Sequence, residues 1–246
     1  MTNNPLIVAL DVDTFDQARV LVDELTDTVD IFKIGSQLFT AYGPFVTRYV
    51  QSKGKRVFLD LKFHDIPNTV AGAVKSAVSL SLAPNKDPQF APLFMLTVHT
   101  QGGFEMLQAA TRAAKEEAGN LGVPRPLIIG VTALTSQAAD INMSQIVLER
   151  ARLAKSAGLD GVVASVEEAR LIRQDSGDDF IIVTPGIRPA GMDAGDQKRI
   201  ATPAAAIKSG CNYMVVGRPI VQDKFPKQAA LKILEEIQRC LGGSHL

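Results

Sequence analysis

Eight short apolar runs recur along the chain, and the longer segments between them have helical spacing. The runs are Leu6–Leu10, Ile31–Ile34, Val57–Leu61, Leu93–Val98, Leu127–Val131, Gly161–Ala164, Phe180–Val183 and Tyr213–Val216. Each is four to six residues long and rich in Val, Ile, Leu or Phe, the pattern of strands buried on both faces. Phe15, Ala18, Val22 and Leu25 share one helical stripe, and Ala230, Ile233, Leu234, Ile237 and Leu241 form another. Thr14 and Gln17 stand at capping-box spacing before the first stripe. Gly54, Gly158 and Gly210 each fall between a helical pattern and the next run, where a left-handed residue ends a helix. Strand then helix, repeated eight times in 246 residues, predicts an α/β fold, a closed (β/α)8 TIM barrel. We expect one domain over 1–246, with 242–246 as a disordered tail. A doubly wound open sheet is the alternative. It is disfavoured because the first run ends Ala9-Leu-Asp-Val-Asp13, with no glycine-rich dinucleotide fingerprint.

Charge narrows the function. Lys plus Arg is 26, Asp plus Glu is 26, and the net charge is zero, which argues against a general affinity for nucleic acid or an anionic membrane. Trp is absent and aromatics are 6%, too few to build a base-stacking platform. Cys211 and Cys240 cannot make a disulfide framework or a cysteine zinc site. We expect both as buried or half-buried free thiols in a reducing cytoplasm. The first ten residues lack the basic start of a signal peptide, and no apolar run reaches the roughly 18 residues that cross a bilayer. Two loops are long. Residues 83–92 precede the fourth run, on the barrel's stability face; residues 187–198 follow the seventh, on the catalytic face, with a lid-like mixture of glycine and polar groups.

The chemistry gathers at the carboxyl ends of the runs, where barrel enzymes react. Asp11 ends the first, and Lys33 lies in the second. The third reads Val57-Phe-Leu-Asp-Leu-Lys-Phe-His-Asp65. Alternation puts Asp60 and Lys62 on the face opposite Leu59, Leu61 and Phe63, and therefore inside the barrel. Inward charges are expensive unless paired, so a structural ion pair is one reading. Lys33 from the neighbouring strand and Asp65 just beyond favour a reactive Lys/Asp set instead. His99 shares a face with Thr97 and reads as a supporting or core histidine; His64 is given no catalytic role. No His pair or Cys cluster has metal-ligand spacing, and the lysines would compete with a cation for the carboxylates. The seventh run leads into Thr184-Pro-Gly-Ile-Arg-Pro189, and the eighth into Val216-Gly-Arg-Pro-Ile220. Phosphate binds after strands 7 and 8 in this architecture. Gly217 lets backbone N–H groups approach an anion, and Arg218 or Arg188 supplies a two-pronged donor.

Asp60-Leu-Lys-Phe-His-Asp-Ile-Pro-Asn-Thr69 resembles the signature of the orotidine 5′-monophosphate decarboxylases, in their bacterial, monofunctional form. The similarity continues in order through Ala9-Leu-Asp11, Phe32-Lys-Ile-Gly35, Val131-Thr-Ala-Leu-Thr-Ser136, Leu159-Asp-Gly-Val-Val163, Thr184-Pro-Gly-Ile-Arg-Pro189, Ala194-Gly-Asp-Gln197 and Tyr213-Met-Val-Val-Gly-Arg-Pro219. The resemblance implies decarboxylation of orotidine 5′-monophosphate to UMP, the last step of de novo pyrimidine nucleotide synthesis, by a cytoplasmic homodimer without cofactor or metal. It implies that Lys62 donates the proton. Lys33, Asp60 and Asp65 would complete the charge network, Asp65 reaching into the partner's site. Asp11 and Lys33 would bind the ribose, and Thr135 the pyrimidine edge. Arg188, Gln197, Gly217 and Arg218 would hold the phosphate, Gln197 from the lid. Thr69, like Ile66, would serve the neighbouring site. Related sugar-phosphate barrels that use Mg²⁺ carry Ala before the Asp and Gly after the second Asp-x; here those positions are Leu59 and Pro67. The 83–92 loop is the main departure from the family pattern and lies away from these motifs.

Overall fold

Eight parallel strands close on themselves in chain order, β1 pairing with both β2 and β8. They are β1 (Leu6–Ala9), β2 (Ile31–Gly35), β3 (Arg56–Phe63), β4 (Leu93–His99), β5 (Leu127–Val131), β6 (Gly161–Val163), β7 (Ile181–Thr184) and β8 (Tyr213–Val216). The helices are α1 (Phe15–Leu25), α2 (Ser36–Tyr42), α3 (Pro44–Ser52), α4 (Pro67–Val78), α5 (Gly103–Leu121), α6 (Met143–Ser156), α7 (Val166–Ser176), α8 (Pro203–Lys208), α9 (Arg218–Val221) and α10 (Pro226–Gly242). This computed structural model describes residues 4–133, 143–189 and 201–242. All eight expected strands form, as a (β/α)8 barrel.

Alternation along the strands makes two cores. Leu6, Val8, Phe32, Ile34, Val57, Leu59, Leu96 and Val98 face outward and pack with the helices. Ala18, Val22 and Leu25 of α1, and Ala230, Ile233 and Ile237 of α10, join this layer, as their spacing predicts. Ile7, Ala9, Ile31, Phe58, Met95, Ile129, Val183, Tyr213 and Val215 fill the barrel interior. Phe58 is 1% exposed, and burying it contributes about 1.5–3 kcal/mol. One step further along the same faces come Lys33 after Ile31 and Asp60 after Phe58. The charged groups therefore stand directly on an apolar floor. At the opposite mouth, the Arg56 guanidinium lies 4.3 Å from the Phe94 ring centre, a cation–π contact that keeps its charge at the rim.

Local signals hold in detail. Thr14 accepts from the Gln17 N–H while the Gln17 side chain accepts from the Thr14 N–H, completing the capping box. Gly54, Gly158 and Gly210 have φ of 69°, 83° and 83°, the left-handed region that favours glycine. The 83–92 loop contains a 3₁₀ turn at Pro84–Lys86, and Ala91 N–H donates to the Gln51 carbonyl at 3.0 Å. It enters β4 at its amino end, away from the charged layer. Cys211 is buried and Cys240 half-buried, both free. Burial pushes the Cys211 thiol up to about 11, against a hydrogen bond from Thr184. No helix among the described residues is long and apolar enough to cross a membrane. Of the tail expected at 242–246, Gly242 instead ends α10, and 243–246 lie outside the described residues.

Candidate active site

Four charged side chains of alternating sign form a chain across the carboxyl ends of β1, β2 and β3. Lys33 Nζ lies 3.0 Å from Asp11 Oδ1 and 3.5 Å from Asp60 Oδ2, and Lys62 Nζ lies 2.9 Å from the same Asp60 oxygen. Burial alone would pull Lys33 toward the neutral amine. Asp60 and Asp11 more than offset this, and its pKa ends above the ordinary lysine value. Burial likewise penalises the Asp60 carboxylate. Lys33 and Lys62, with hydrogen bonds from Lys62 and Thr97, carry it below the ordinary value. Gly35 makes room for this row: a Cβ there would stand 3.2 Å from Lys33 Nζ and 3.4 Å from Asp11 Oδ1.

The backbone at Lys62 is unusual. β3 pairs with β4 through Leu59 and Leu96, and next through Phe63 and Val98, so four steps on β3 match two on β4. The excess of two residues preserves the pleat's parity, and Asp60 and Lys62 still reach the same cavity. Lys62 itself takes φ 52°, uncommon for a residue with a side chain. Thr97 sits opposite this bulge, fully buried. Its hydroxyl donates to Asp60 Oδ1 at 3.0 Å and accepts from the Lys62 backbone N–H at 2.8 Å. One threonine thus fixes both the carboxylate and the strained backbone beside it. Sequence reasoning put Thr97 on one face with His99 without assigning it this role.

The row lines one wall of a cavity of about 450 Å³. Ala9, Phe58, Val131, Val163, Val183 and Val215 supply apolar lining, while Arg188, Gly217 and Arg218 bring a second pole after β7 and β8. Arg188 is 6% exposed, and its Nη1 donates to the Ile187 carbonyl at 3.0 Å. Its backbone N–H donates to Ala201, whose N–H donates to Gly186, so the two ends of the intervening segment are tied together. Gly217 immediately precedes α9. Such a cavity suits a phosphorylated, partly apolar ligand, with anion donors at one end and a charged row at the other.

Asp11, Lys33, Asp60, Lys62, Arg188, Gly217 and Arg218 are thus brought together. Asp65 and Thr69 do not line this cavity; both are exposed on the chain's surface, and Asp65 Oδ1 accepts from the Ile66 N–H at 2.6 Å. Thr135, Gln197 and most of the 187–198 lid lie outside the described residues. His99 is half-buried and stacks on His64 with ring centres 5.5 Å apart. Neither imidazole lines the cavity. Among the described residues, no group of three or more His, Cys, Asp or Glu side chains converges as a metal site.

Comparison with known proteins adds an independent line. The model of the Orotidine 5'-phosphate decarboxylase / HUMPS family matches residues 4–233. The chain belongs to this family. A relative from Moorella thermoacetica, named Orotidine 5'-phosphate decarboxylase, is 48% identical over 95% of this chain and 92% of its own length. One of the same name from Vibrio cholerae is 46% identical over 98% of this chain and 100% of its own. The crystal structure of Orotidine 5'-phosphate decarboxylase from Lactobacillus acidophilus superposes with a TM-score of 0.77 at 34% identity, covering 95% of this chain and 99% of that one. By name these relatives are carboxy-lyases.

Proposed function

We propose that the chain decarboxylates orotidine 5′-monophosphate to UMP, the last step of de novo pyrimidine nucleotide synthesis, with neither metal nor organic cofactor. The observation that carries the reading is the Lys62 ammonium, tied at 2.9 Å to a buried carboxylate and facing the cavity opposite the two arginines. Losing CO₂ from the pyrimidine ring breaks a C–C bond and leaves its electron pair on a ring carbon, in the ring plane, where no π-system spreads it. A fixed ammonium beside that carbon stabilises the pair and then delivers a proton to it. The Lys62 amine regains its proton from water. Asp60 holds Lys62 and Lys33 and faces the substrate carboxylate; Asp11 and Lys33 meet the ribose hydroxyls. Arg188, Arg218 and the Gly217 backbone take the phosphate. Gln197 joins them from the 187–198 lid, and Thr135 reads the pyrimidine edge. Phosphate binding energy then supports lid closure and ring placement.

In this reading the working form is a cytoplasmic homodimer, with Asp65 and Thr69 of each chain completing the other's site. Their exposure outside their own chain's cavity supports it. Nucleic acid is not a partner, in keeping with the zero net charge. Both lysines already occupy Asp60, which supports chemistry without a divalent cation. An absorbance assay with orotidine 5′-monophosphate, with and without EDTA, tests the proposal. We expect full activity in EDTA. Loss of activity in EDTA with recovery on adding Mg²⁺ would favour the sugar-phosphate branch of the family.

A further inference from the structure

We propose that the stacked rings of His64 and His99 clamp the end of β3 onto β4 and so position Lys62 and Asp65, and that protonating His99 opens the clamp. Its kinetic consequence rests on the decarboxylase reading above. His64 is the first residue past β3, between Phe63 and Asp65; His99 is the last of β4. The last ladder pair between these strands is Phe63 with Val98, and it follows the bulge. From the bulge onward, β4 grips β3 through two side chains as well as that ladder pair. Thr97 holds the Lys62 N–H, and two residues on, the His99 ring lies against the His64 ring at 5.5 Å and 22°. A left-handed lysine persists only where its surroundings over-determine it, and these two contacts bracket it.

The clamp has a built-in sensitivity to acid. His99 Nδ1 accepts from the Gln101 N–H at 3.3 Å, which requires that nitrogen to be unprotonated. Protonation replaces the acceptor with a donor and releases the turn at Thr100–Gly102. It also sets a cation against the groups that bear on this ring among the described residues: His64 beyond β3, Arg150 from α6 and Lys62 from β3. Burial first, and then these neighbours, hold His99 below the ordinary imidazole value. The clamp is therefore closed at neutral pH and opens as pH falls through the folded-state value. His99 is a positioning residue, because its ring does not line the cavity.

The test uses His64→Ala, His64→Phe and the double variant His64→Phe/His99→Phe, each checked for folding by circular dichroism. His64 is exposed, so truncating it leaves the core intact. With orotidine 5′-monophosphate, His64→Ala should lower kcat on the order of 10- to 100-fold, the scale of a misplaced catalytic group, with KM changed less than about 3-fold. His64→Phe restores the ring and should recover most of kcat. Between about pH 5 and 8 the parent should lose kcat on the acid side, and the double variant, with no imidazole to titrate, should stay level. Parent-like kcat in His64→Ala, or the parent's acid-side fall in the double variant, overturns the proposal. A second readout needs no activity. By NMR, His99 should titrate lower in the parent than in His64→Phe; an unchanged titration overturns the clamp even if the parent proves to be no decarboxylase. A parent that fails to decarboxylate while this NMR shift appears overturns the catalytic reading alone.

Discussion

Thr97 is the residue on which the charged layer depends most. It has one hydroxyl for two tasks, and nothing else among the contacts described supports the Lys62 N–H. Thr97→Val keeps the shape and removes both hydrogen bonds. The cost should be about 1–3 kcal/mol for the partners left unsatisfied, read as a lowered Tm, with a fall in kcat larger than any change in KM. Thr97→Ser should restore both. Asp60 gives a second, pH-dependent expectation. Its folded pKa is depressed, so its contribution is full above the ordinary carboxylate value and is lost as pH falls through the folded value. Lys33 is raised, so its share is full below the ordinary lysine value and is lost as pH rises through the folded value. Asp60→Asn should lower stability by about 1–3 kcal/mol, because it leaves Lys33 with Asp11 as its carboxylate and Lys62 facing a neutral amide. Thermal melts should show that deficit constant from about pH 5 to 9 and narrowing toward stronger acid. An undiminished deficit at the acid extreme would mean that Asp60 acts through packing. The inward direction of Asp60 and Lys62 was legible in the sequence because the bulge adds an even number of residues. The strain at Lys62 was not, since no residue type announces a left-handed lysine. A threonine inside an apolar run is equally silent about its partner.

At the scale of elements, periodicity located every strand, and tertiary hydrogen bonds moved their ends. Phe180 reads as part of the seventh strand, but its carbonyl accepts from Arg173 Nη1 at 2.8 Å and β7 begins at Ile181. The third apolar run stops at Leu61, yet the strand itself continues to Phe63, where it rejoins β4 past the bulge. Such ends depend on partners distant in sequence, which a local pattern does not contain. The junction of β8 and α9 shows the opposite case. Gly217-Arg-Pro219 carries its own instructions: proline at the first turn suits a helix start, and the arginine just before it sits where the barrel's anion end lies. Arg218→Ala should therefore weaken productive binding by about 2–5 kcal/mol, seen mainly in KM for a phosphorylated substrate. A substrate lacking the phosphate should lose nothing further from this substitution. Equal losses with both substrates would place Arg218 at the reacting ring instead.

At the scale of the whole molecule, the alternating row is asymmetric. Asp11 closes it at one end, but at the other Lys62 has Asp60 as its one carboxylate partner among the described residues, while Asp65 stands exposed three residues away. Pro67 opens α4 and, with Ile66 in an extended conformation before it, directs that segment off the barrel. A two-fold partner would bring an equivalent Asp65 to each open end, and an isologous interface does this reciprocally. Lys62→Ala and Asp65→Ala subunits should each be inactive alone. Mixed under conditions that allow exchange, they form heterodimers in which one site carries both lesions. The other receives an intact Lys62 from one chain and an intact Asp65 from its partner. Random exchange makes about half the dimers mixed, so roughly a quarter of parent activity should return. Mass spectrometry of the mixture verifies that exchange is complete. If it is and no activity returns, Asp65 works within its own chain, and the open end of the row must be closed by residues of the same barrel.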